Sequence, residues 1–217
     1  MRVRADLNIS LDGIAAPPVG TPEQPFGEDW GHLVAAYLAT RTMQEQVFGK
    51  NDTGTTGVDD AYARRYFEGT GAEIMGAHKF GLDLYGDDPD WKGWWGPNPP
   101  FHMPVFVLTD RERPTLEMEG GTTFHFISAE PQDALHLAMA AADGQDVRIG
   151  GGPTVVKDYL RAGLVDELHV AIAPIVLNHG ISLWDDLRGL EADFDVRSEA
   201  AESGTSHVTF TRKVLAP

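Results

Sequence analysis

Cysteine is absent from the sequence, and lysine and arginine are scarce. The lack of cysteine excludes disulfide bonds, thiolate metal sites and cysteine nucleophiles. Seventeen Lys and Arg residues against 33 Asp and Glu residues leave a net charge of −16. A surface this acidic repels the phosphates of nucleic acids and of anionic membranes, so we expect neither as a partner. An anionic ligand must instead be held by backbone N–H groups and a few placed cations.

Long apolar runs are missing as well. No stretch approaches the roughly 18 apolar residues of a membrane span, and the charged residues 1–6 do not resemble a signal peptide. We therefore expect a soluble, cytoplasmic protein. The histidines are scattered without metal-ligand spacing, so no metal is predicted. No internal repeat or convincing linker divides the 217 residues, which predicts a single domain over 1–217.

Short apolar segments that alternate with helical patterns predict an α/β fold. Such strands are typical of a mostly parallel sheet covered by helices on both faces. The predicted strands are 3–11, 72–76, 104–109, 123–128, 147–149 and 168–176, with an antiparallel pair at 194–196 and 207–214. The predicted helices are about 30–48, 59–68, 131–142 and 153–162, and the long loops are 15–29 and 86–104.

The most informative motif is three consecutive glycines, Gly150, Gly151 and Gly152, between an apolar strand and a helix that starts at Pro153. Proline suits the first helical position, where no N–H is needed. Glycines let a ligand approach the backbone closely, and a helix N-terminus favours an anion. The turn therefore predicts a site for a nucleotide diphosphate, although a purely structural turn is the alternative.

The two commonest nucleotide motifs do not fit this turn. In a Rossmann fingerprint the third glycine would stand at Val155, and the acidic residue about 20 positions later is missing. A P-loop requires G-K-[ST], which is absent. Neither motif explains the turn, and a structural turn without a ligand stays open.

The surrounding blocks carry a resemblance to a known family. The glycine turn is followed by G-L-V-D-E-L at 163–168, by Ala173-Pro174 and by Gly180; earlier come S-L-D-G at 10–13 and M-G at 75–76. This pattern resembles the riboflavin-biosynthesis reductase domain (the RibD C-terminal domain) of the dihydrofolate-reductase-like superfamily. The resemblance covers nearly the whole chain, with residues 15–58 and 86–103 as the looser parts. It implies a three-layer α/β/α fold, a reductase activity and a homodimer.

The resemblance also implies the cofactor NADPH. Its pyrophosphate is expected on the glycine turn, its nicotinamide near the first strand and its adenosine end on two strand tips. The residues implied are Gly150, Gly151, Gly152, Pro153 and Thr154 for the pyrophosphate, Ser10 for the nicotinamide, and Gly76, Ala77, His78, Thr109 and Arg111 for the adenosine end.

One position departs from the family pattern. Members commonly have arginine after the M-G glycine, where it grips the 2′-phosphate, but this chain has Ala77. His78, Lys79, Arg111 and Arg113 are the alternative sources of positive charge. NADH therefore stays open as the cofactor, and so does a protein of the same fold that binds a small ligand or nucleotide without turnover.

Two carboxylates are candidate proton donors. Asp12 lies in the loop after the first strand, although a carboxylate there also suits a turn. Asp60 lies early in the helix before the M-G strand, where dihydrofolate reductases carry their active-site carboxylate; it also suits the first turn of a helix. Asp166 and Glu167 are expected to have a structural task at the turn before the strand.

The long loop carries the candidate substrate-binding residues Trp94, Trp95, Phe101 and His102. Aromatic side chains suit a flat heterocycle, and folding of the loop onto the body is the alternative. The expected substrate is a pterin or a ribosylaminopyrimidine. No cationic cluster for a substrate phosphate is visible outside the cofactor region, which weighs against a step of riboflavin biosynthesis. The sequence also lacks the zinc deaminase motifs H-x-E and P-C-x-x-C.

Overall fold

The computed structural model describes residues 1–16 and 20–214. Its strands, in chain order, are β1 Val3–Ile9, β2 Ile14–Ala16, β3 Thr70–Gly76, β4 Pro104–Leu108, β5 Leu116–Glu117, β6 Thr123–Ile127, β7 Asp146–Ile149, β8 Glu167–Ile172, β9 Ile181–Ser182, β10 Phe194–Ala200 and β11 Ser206–Arg212. Its α-helices are α1 Trp30–Leu33, α2 Ala35–Leu38, α3 Arg41–Gln46, α4 Val58–Phe67, α5 Ala77–Phe80, α6 Leu82–Tyr85, α7 Pro131–Ala141 and α8 Pro153–Arg161.

Within the described residues, nine strands form one sheet in the order β10-β11-β8-β1-β7-β3-β4-β6-β5. The six central strands from β8 to β6 run parallel. The C-terminal strands β11 and β10 are antiparallel, as is the short edge strand β5. The predicted α/β fold, mostly parallel with antiparallel C-terminal strands, is confirmed.

One face of the sheet is apolar at its centre. Side chains alternate between the faces along a strand, so Ala72 and Ile74 of β3 and Val147 and Ile149 of β7 share this face and are buried. Helices α7 and α8 cover it with their own buried apolar side chains. Burial of these surfaces is the main source of stability of the sheet.

The opposite face carries charge at its centre. Arg4 of β1 and Arg148 of β7 point to this side and donate to main-chain carbonyls near the C-terminal end of α4: Arg4 to Arg65 and Glu68, Arg148 to Tyr66. Each arginine satisfies carbonyls that the helix leaves without a partner. Helix α4 thus lies over the polar centre of the sheet and completes the three-layer α/β/α arrangement.

Three predicted elements differ most in extent. The strand predicted over 194–196 continues to Ala200. The helix predicted over 30–48 is three short helices: the helical backbone is interrupted at Val34 (φ −105°, ψ 7°) and at Thr40, which is extended (φ −65°, ψ 152°) and whose side chain accepts from the Met43 N–H as an N-cap. The strand predicted over 168–176 ends at Ile172, since Pro174 has no N–H to continue a ladder.

Among the residues that the structure describes, no helix has both the length and the apolar character to span a bilayer.

Candidate active site

A cavity of about 700 Å³ opens between the polar centre of the sheet, α4, residues 20–48, and the loop that contains Trp94. The glycine turn forms part of its wall. Its lining includes Asp6, Tyr37, Asp59, Tyr62, His78, Lys79, Trp94, Trp95, Phe101, Gly150, Gly151, Gly152, Pro153, His169 and His207.

The glycine turn is fixed between β3 and β7. The Gly150 N–H donates to the Ile74 carbonyl at 2.9 Å, and the Gly76 N–H donates to the Gly151 carbonyl at 3.0 Å. A Cβ on Gly150 would lie 2.1 Å from Oε1 of Glu73, and Gly151 has φ +99°. Both positions therefore require glycine, one for space and one for its backbone conformation.

The third glycine serves a different purpose. Gly152 is the N-cap residue of α8, with φ −67° and ψ −171°. A Cβ built on it would meet no atom within 4 Å, so it faces open space. No side chain caps α8 among the described residues. The first-turn N–H groups at Thr154 and Val155 are thus left for a ligand, and the helix dipole favours an anion there.

A buried ion triad supports the turn from behind. Lys79 Nζ donates to Glu73 Oε1 at 2.9 Å and to the Gly150 carbonyl at 2.7 Å. Arg148 Nε donates to the other Glu73 oxygen at 2.7 Å, and its guanidinium stacks on the Tyr66 ring. Burial raises the pKa of Glu73, but the charges of Arg148 and Lys79 outweigh it and hold that pKa below 4.5. The carboxylate is therefore ionised and paired twice.

The residues predicted for the adenosine end are only partly in the cavity wall. His78 lines it, with Nδ1 2.6 Å from Asp83 Oδ2. Arg111 lies outside it, where NH1 donates to exposed Asp87 at 2.8 Å. Gly76, Ala77 and Thr109 also lie outside the lining, as does Thr154, which was predicted for the pyrophosphate. Of the other two candidate cations, Lys79 belongs to the triad, and Arg113 donates to the carbonyls of Gly86, Asp88 and Trp91.

Asp12 and Ser10 do not line the cavity. With the N–H groups of Leu177 and Asn178 they form a clamp between two loops. The Ser10 hydroxyl donates to Asp12 at 2.6 Å, and the N–H groups of Leu177 and Asn178 donate to the same carboxylate at 3.1 and 2.7 Å. The Ser10 hydrogen bond and these N–H groups lower the pKa of Asp12 to about 2. Asp12 thus ties the loop after β1 to the loop after β8 as an ionised acceptor, not as a proton donor.

Asp59, not Asp60, faces the cavity. Asp60 accepts from the Thr42 N–H at 2.8 Å and pairs with Arg64, and it does not line the cavity. Neighbouring helical residues project about 100° apart, so the preceding carboxylate, Asp59, points into the cavity instead. Its Oδ1 lies 2.9 Å from Nε2 of His207.

His207 continues into a chain of polar groups that sequence reasoning missed. Its Nδ1 lies 2.9 Å from Nε2 of His169, whose Nδ1 lies 3.0 Å from Oδ1 of Asp6. No local motif shows this cluster, because its members come from α4, β11, β8 and β1. The available signal is polar residues inside apolar strands, such as His169 between Leu168 and Val170.

Three of the four aromatic-loop candidates line the cavity: Trp94, Trp95 and Phe101. The Trp94 indole N–H donates to the Lys79 carbonyl at 3.0 Å, which also anchors the loop to the body. His102 lies outside the lining, because its φ of +53° and its contact with the Gly120 carbonyl at 2.8 Å turn the ring away.

The Tyr37 hydroxyl is another polar group at the cavity. It is buried and has no hydrogen-bond partner among the described residues. Burial raises the Tyr37 pKa well above 10, so the hydroxyl is neutral and keeps its proton. A buried donor without a partner costs free energy, which a ligand acceptor in this cavity would recover.

The family model of the RibD C-terminal domain matches residues 2–202. The chain belongs to the RibD C-terminal domain family. This membership confirms the resemblance drawn from the sequence and indicates an oxidoreductase. A comparison with curated proteins gives no match.

Three solved structures are similar to this RibD C-terminal domain protein over nearly its whole length. A protein assigned to riboflavin biosynthesis, from Shewanella sp. PV-4, has a TM-score of 0.61 and 20% identity, over 99% of this chain and 100% of that chain. A pyrimidine reductase-like protein of Corynebacterium diphtheriae has a TM-score of 0.49 and 15% identity, over 98% and 92%. The dihydrofolate reductase of Enterococcus faecalis complexed with NADP(H) has a TM-score of 0.49 and 12% identity, over 98% and 97%.

Proposed function

We propose that this RibD C-terminal domain protein is an NAD(P)H-dependent reductase that transfers a hydride to a flat nitrogen heterocycle. The observation that carries the proposal is that the uncapped N-terminus of α8 at Gly152, the Asp59–His207 pair and the aromatic wall around Trp95 adjoin one cavity. An anion site, a source of protons and a stacking surface are the three requirements of such a reaction.

The glycine turn fits a dinucleotide pyrophosphate. Open space at Gly152 and the first-turn N–H groups of α8 supply a backbone cradle without a side chain in the way. Bound there, a dihydronicotinamide dinucleotide supplies the hydride. The residues Gly150 to Pro153 would hold its phosphates, and the Lys79–Glu73 contact keeps the turn in place.

We propose NADPH over NADH, with His78 and Arg111 as the charges that replace the family arginine at Ala77. Both side chains are more than two-fifths exposed and each is paired with an exposed aspartate, Asp83 or Asp87. Exposed ion pairs contribute little, so a 2′-phosphate can displace the aspartates.

The substrate end of the cavity combines a flat apolar wall with polar groups opposite. Trp95 and Phe101 offer ring faces, while Asp59 and the unpartnered Tyr37 hydroxyl offer an acceptor and a donor. This pattern suits a pterin or a ribosylaminopyrimidine. In the described lining, Lys79 is committed to Glu73 and Gly150, so a phosphate on the substrate has no lysine or arginine left to bind it.

Asp59 takes the proton-donating role that the sequence suggested for Asp60 or Asp12, because it is the carboxylate of the three that lines the cavity. The single domain and the homodimer stay predictions; one sheet that collects strands from Val3 to Arg212 supports the former.

The test uses the five tryptophans as reporters. Titration with NADPH and with NADH should quench fluorescence of Trp94 and Trp95, with tighter binding of NADPH, and 7,8-dihydropterin should then be reduced as followed by loss of NADPH absorbance. Binding without oxidation across a panel of pterins and pyrimidines would favour the non-catalytic alternative. No binding of either cofactor would contradict the proposal.

A further inference from the structure

Asp6, His169, His207 and Asp59 form a continuous hydrogen-bonded chain with contacts of 3.0, 2.9 and 2.9 Å. The two imidazoles lie side by side on the ring of Tyr62, at centroid distances of 4.3 and 4.2 Å and interplanar angles of 11° and 1°. Tyr62 therefore fixes both rings in the plane that their shared hydrogen bond requires.

The contacts of this hydrogen-bonded chain determine how many protons it holds. Each of its three contacts needs one proton, and two ionised carboxylates supply none. Two neutral imidazoles carry only two protons, so three filled contacts require that one imidazole is doubly protonated. With ionised Asp6 and Asp59, the chain then holds one imidazolium and has a net charge of −1.

The surrounding charges place this imidazolium on His169. Burial raises the Asp6 pKa, but the hydrogen bond and charge of His169, with the nearby Arg148 and Arg4, outweigh it and lower that pKa below 3.8. Burial also lowers the pKa of His207, against the opposing effect of Asp59. Glu199 is the other carboxylate whose charge reaches His207. An ionised Asp6 next to His169 and a neutral His207 are the arrangement that results.

We propose that this four-residue chain stores a proton and delivers it through Asp59 to the substrate, an inference that rests on the proposed reductase function. The His169 Nε2 proton passes to Nδ1 of His207, the Nε2 proton of His207 passes to Asp59, and Asp59 protonates the atom next to the one that receives the hydride. One C–H and one N–H or O–H bond form while the substrate double bond and the dihydronicotinamide C–H bond break. His169 ends neutral, with its remaining proton on Nδ1 towards Asp6.

The exit lies at Asp59 rather than at Asp6, although both carboxylates line the cavity. Asp6 faces the positive charges of Arg4 and Arg148, which favour its ionised form, so it holds a proton poorly. Asp59, in the first turn of α4, has Nε2 of His207 as its neighbour. After delivery, Nε2 of His207 carries no proton and faces the ionised Asp59 carboxylate, so two hydrogen-bond acceptors lie opposite each other. This contact favours uptake of a new proton, so the chain is ready for another cycle.

The proton inventory is measurable without cofactor or substrate. Long-range ¹H–¹⁵N spectra of the histidine rings at about pH 6 should show His169 doubly protonated and His207 protonated at Nε2 alone. In Asp6→Asn, which removes the carboxylate charge beside His169, the two rings should carry two protons in place of three at the same pH. His136→Gln, on the exposed side of α7, should leave the count of ring protons unchanged. Two neutral imidazoles in the unaltered protein, or a doubly protonated ring in Asp6→Asn, would overturn the proposal.

Kinetics with NADPH and 7,8-dihydropterin test delivery. His207→Gln should lower kcat about 100-fold and leave KM within about twofold, because general acid catalysis contributes on that order. In the unaltered protein, kcat should fall as the pH rises and the stored proton is lost. This fall should be absent from the pH profile of His207→Gln. If His207→Gln keeps the unaltered kcat and pH profile while NADPH still binds, the hydrogen-bonded chain has no part in the reaction and the reductase function stands. If the unaltered protein binds neither dinucleotide, the reductase function fails and proton delivery with it, whatever the histidine spectra show.

Discussion

Lys79 Nζ lies 2.7 Å from the carbonyl oxygen of Gly150 and 2.9 Å from Oε1 of Glu73. One side chain thus joins α5, at the end of β3, to the glycine turn at the end of β7. The contact explains why Gly150 has no room for a Cβ, which would lie 2.8 Å from Nζ and closer still to Glu73. The ion triad and the glycine turn are therefore one structural unit.

Lys79→Met removes one cation of this unit and leaves Glu73 with Arg148 alone. Because Glu73 is fully buried, we expect a loss of about 1–3 kcal/mol in the free energy of unfolding. Urea denaturation measures it. The matched control is Lys92→Met at an exposed position, which should change stability by less than about 0.5 kcal/mol. Equal effects of the two substitutions would show that the Lys79–Glu73 contact contributes nothing to the free energy of unfolding.

Asp12→Asn tests the clamp through its pH dependence. The folded-state pKa of about 2 lies below the ordinary value of 3.8, so the ionised clamp stabilises the fold above pH 3.8 and loses its effect as the pH falls towards 2. The asparagine variant lacks this contribution at every pH. Its Tm should therefore lie below that of the unaltered protein at about pH 5, and the difference should shrink by about pH 3.

The control for this measurement is Asp110→Asn, which replaces an exposed carboxylate elsewhere. Its Tm should follow that of the unaltered protein over the same range. A difference for Asp12→Asn that stays constant between the two pH values would mean that the carboxylate charge does not hold the clamp.

Arg111→Gln tests the proposed 2′-phosphate contact. Removal of this charge should weaken NADPH binding about tenfold and leave NADH binding unchanged, because the two cofactors differ by that phosphate. Tryptophan quenching gives both dissociation constants. Arg161→Gln is the control, since Arg161 has similar exposure and pairs with Asp158 and Asp186 at the far end of α8. A parallel loss for both cofactors would place Arg111 elsewhere in the site.

The sheet was predictable because its strands are short apolar runs bounded by turn residues. Strand β4 and helix α7 begin at the predicted Pro104 and Pro131 and end within one residue of the predicted positions. Helix α8 likewise begins at Pro153 and stops before Gly163, whose φ of +68° ends it. These signals are local, and the local pattern determines them.

The polar centre of the site was not predictable in the same way. Asp6 and His169 are 163 positions apart, and the parallel register of β1 and β8 sets them directly opposite each other. His207 joins them only because β11 adds antiparallel to β8. Which of the adjacent carboxylates Asp59 and Asp60 faces the cavity depends on the rotation of α4 about its axis. The sequence shows that both lie in one helical turn but does not give this rotation.

Gly152→Asp tests most directly whether the glycine turn holds the cofactor pyrophosphate. The φ of −67° at Gly152 is accessible to residues with a side chain, and aspartate is a favourable N-cap, so its carboxylate would take the first-turn N–H groups of α8. We expect an unchanged or higher Tm and a loss of NADPH affinity of at least about 100-fold, while Gly152→Ala keeps most of the affinity. Undiminished NADPH binding by a folded Gly152→Asp variant would contradict this placement of the pyrophosphate.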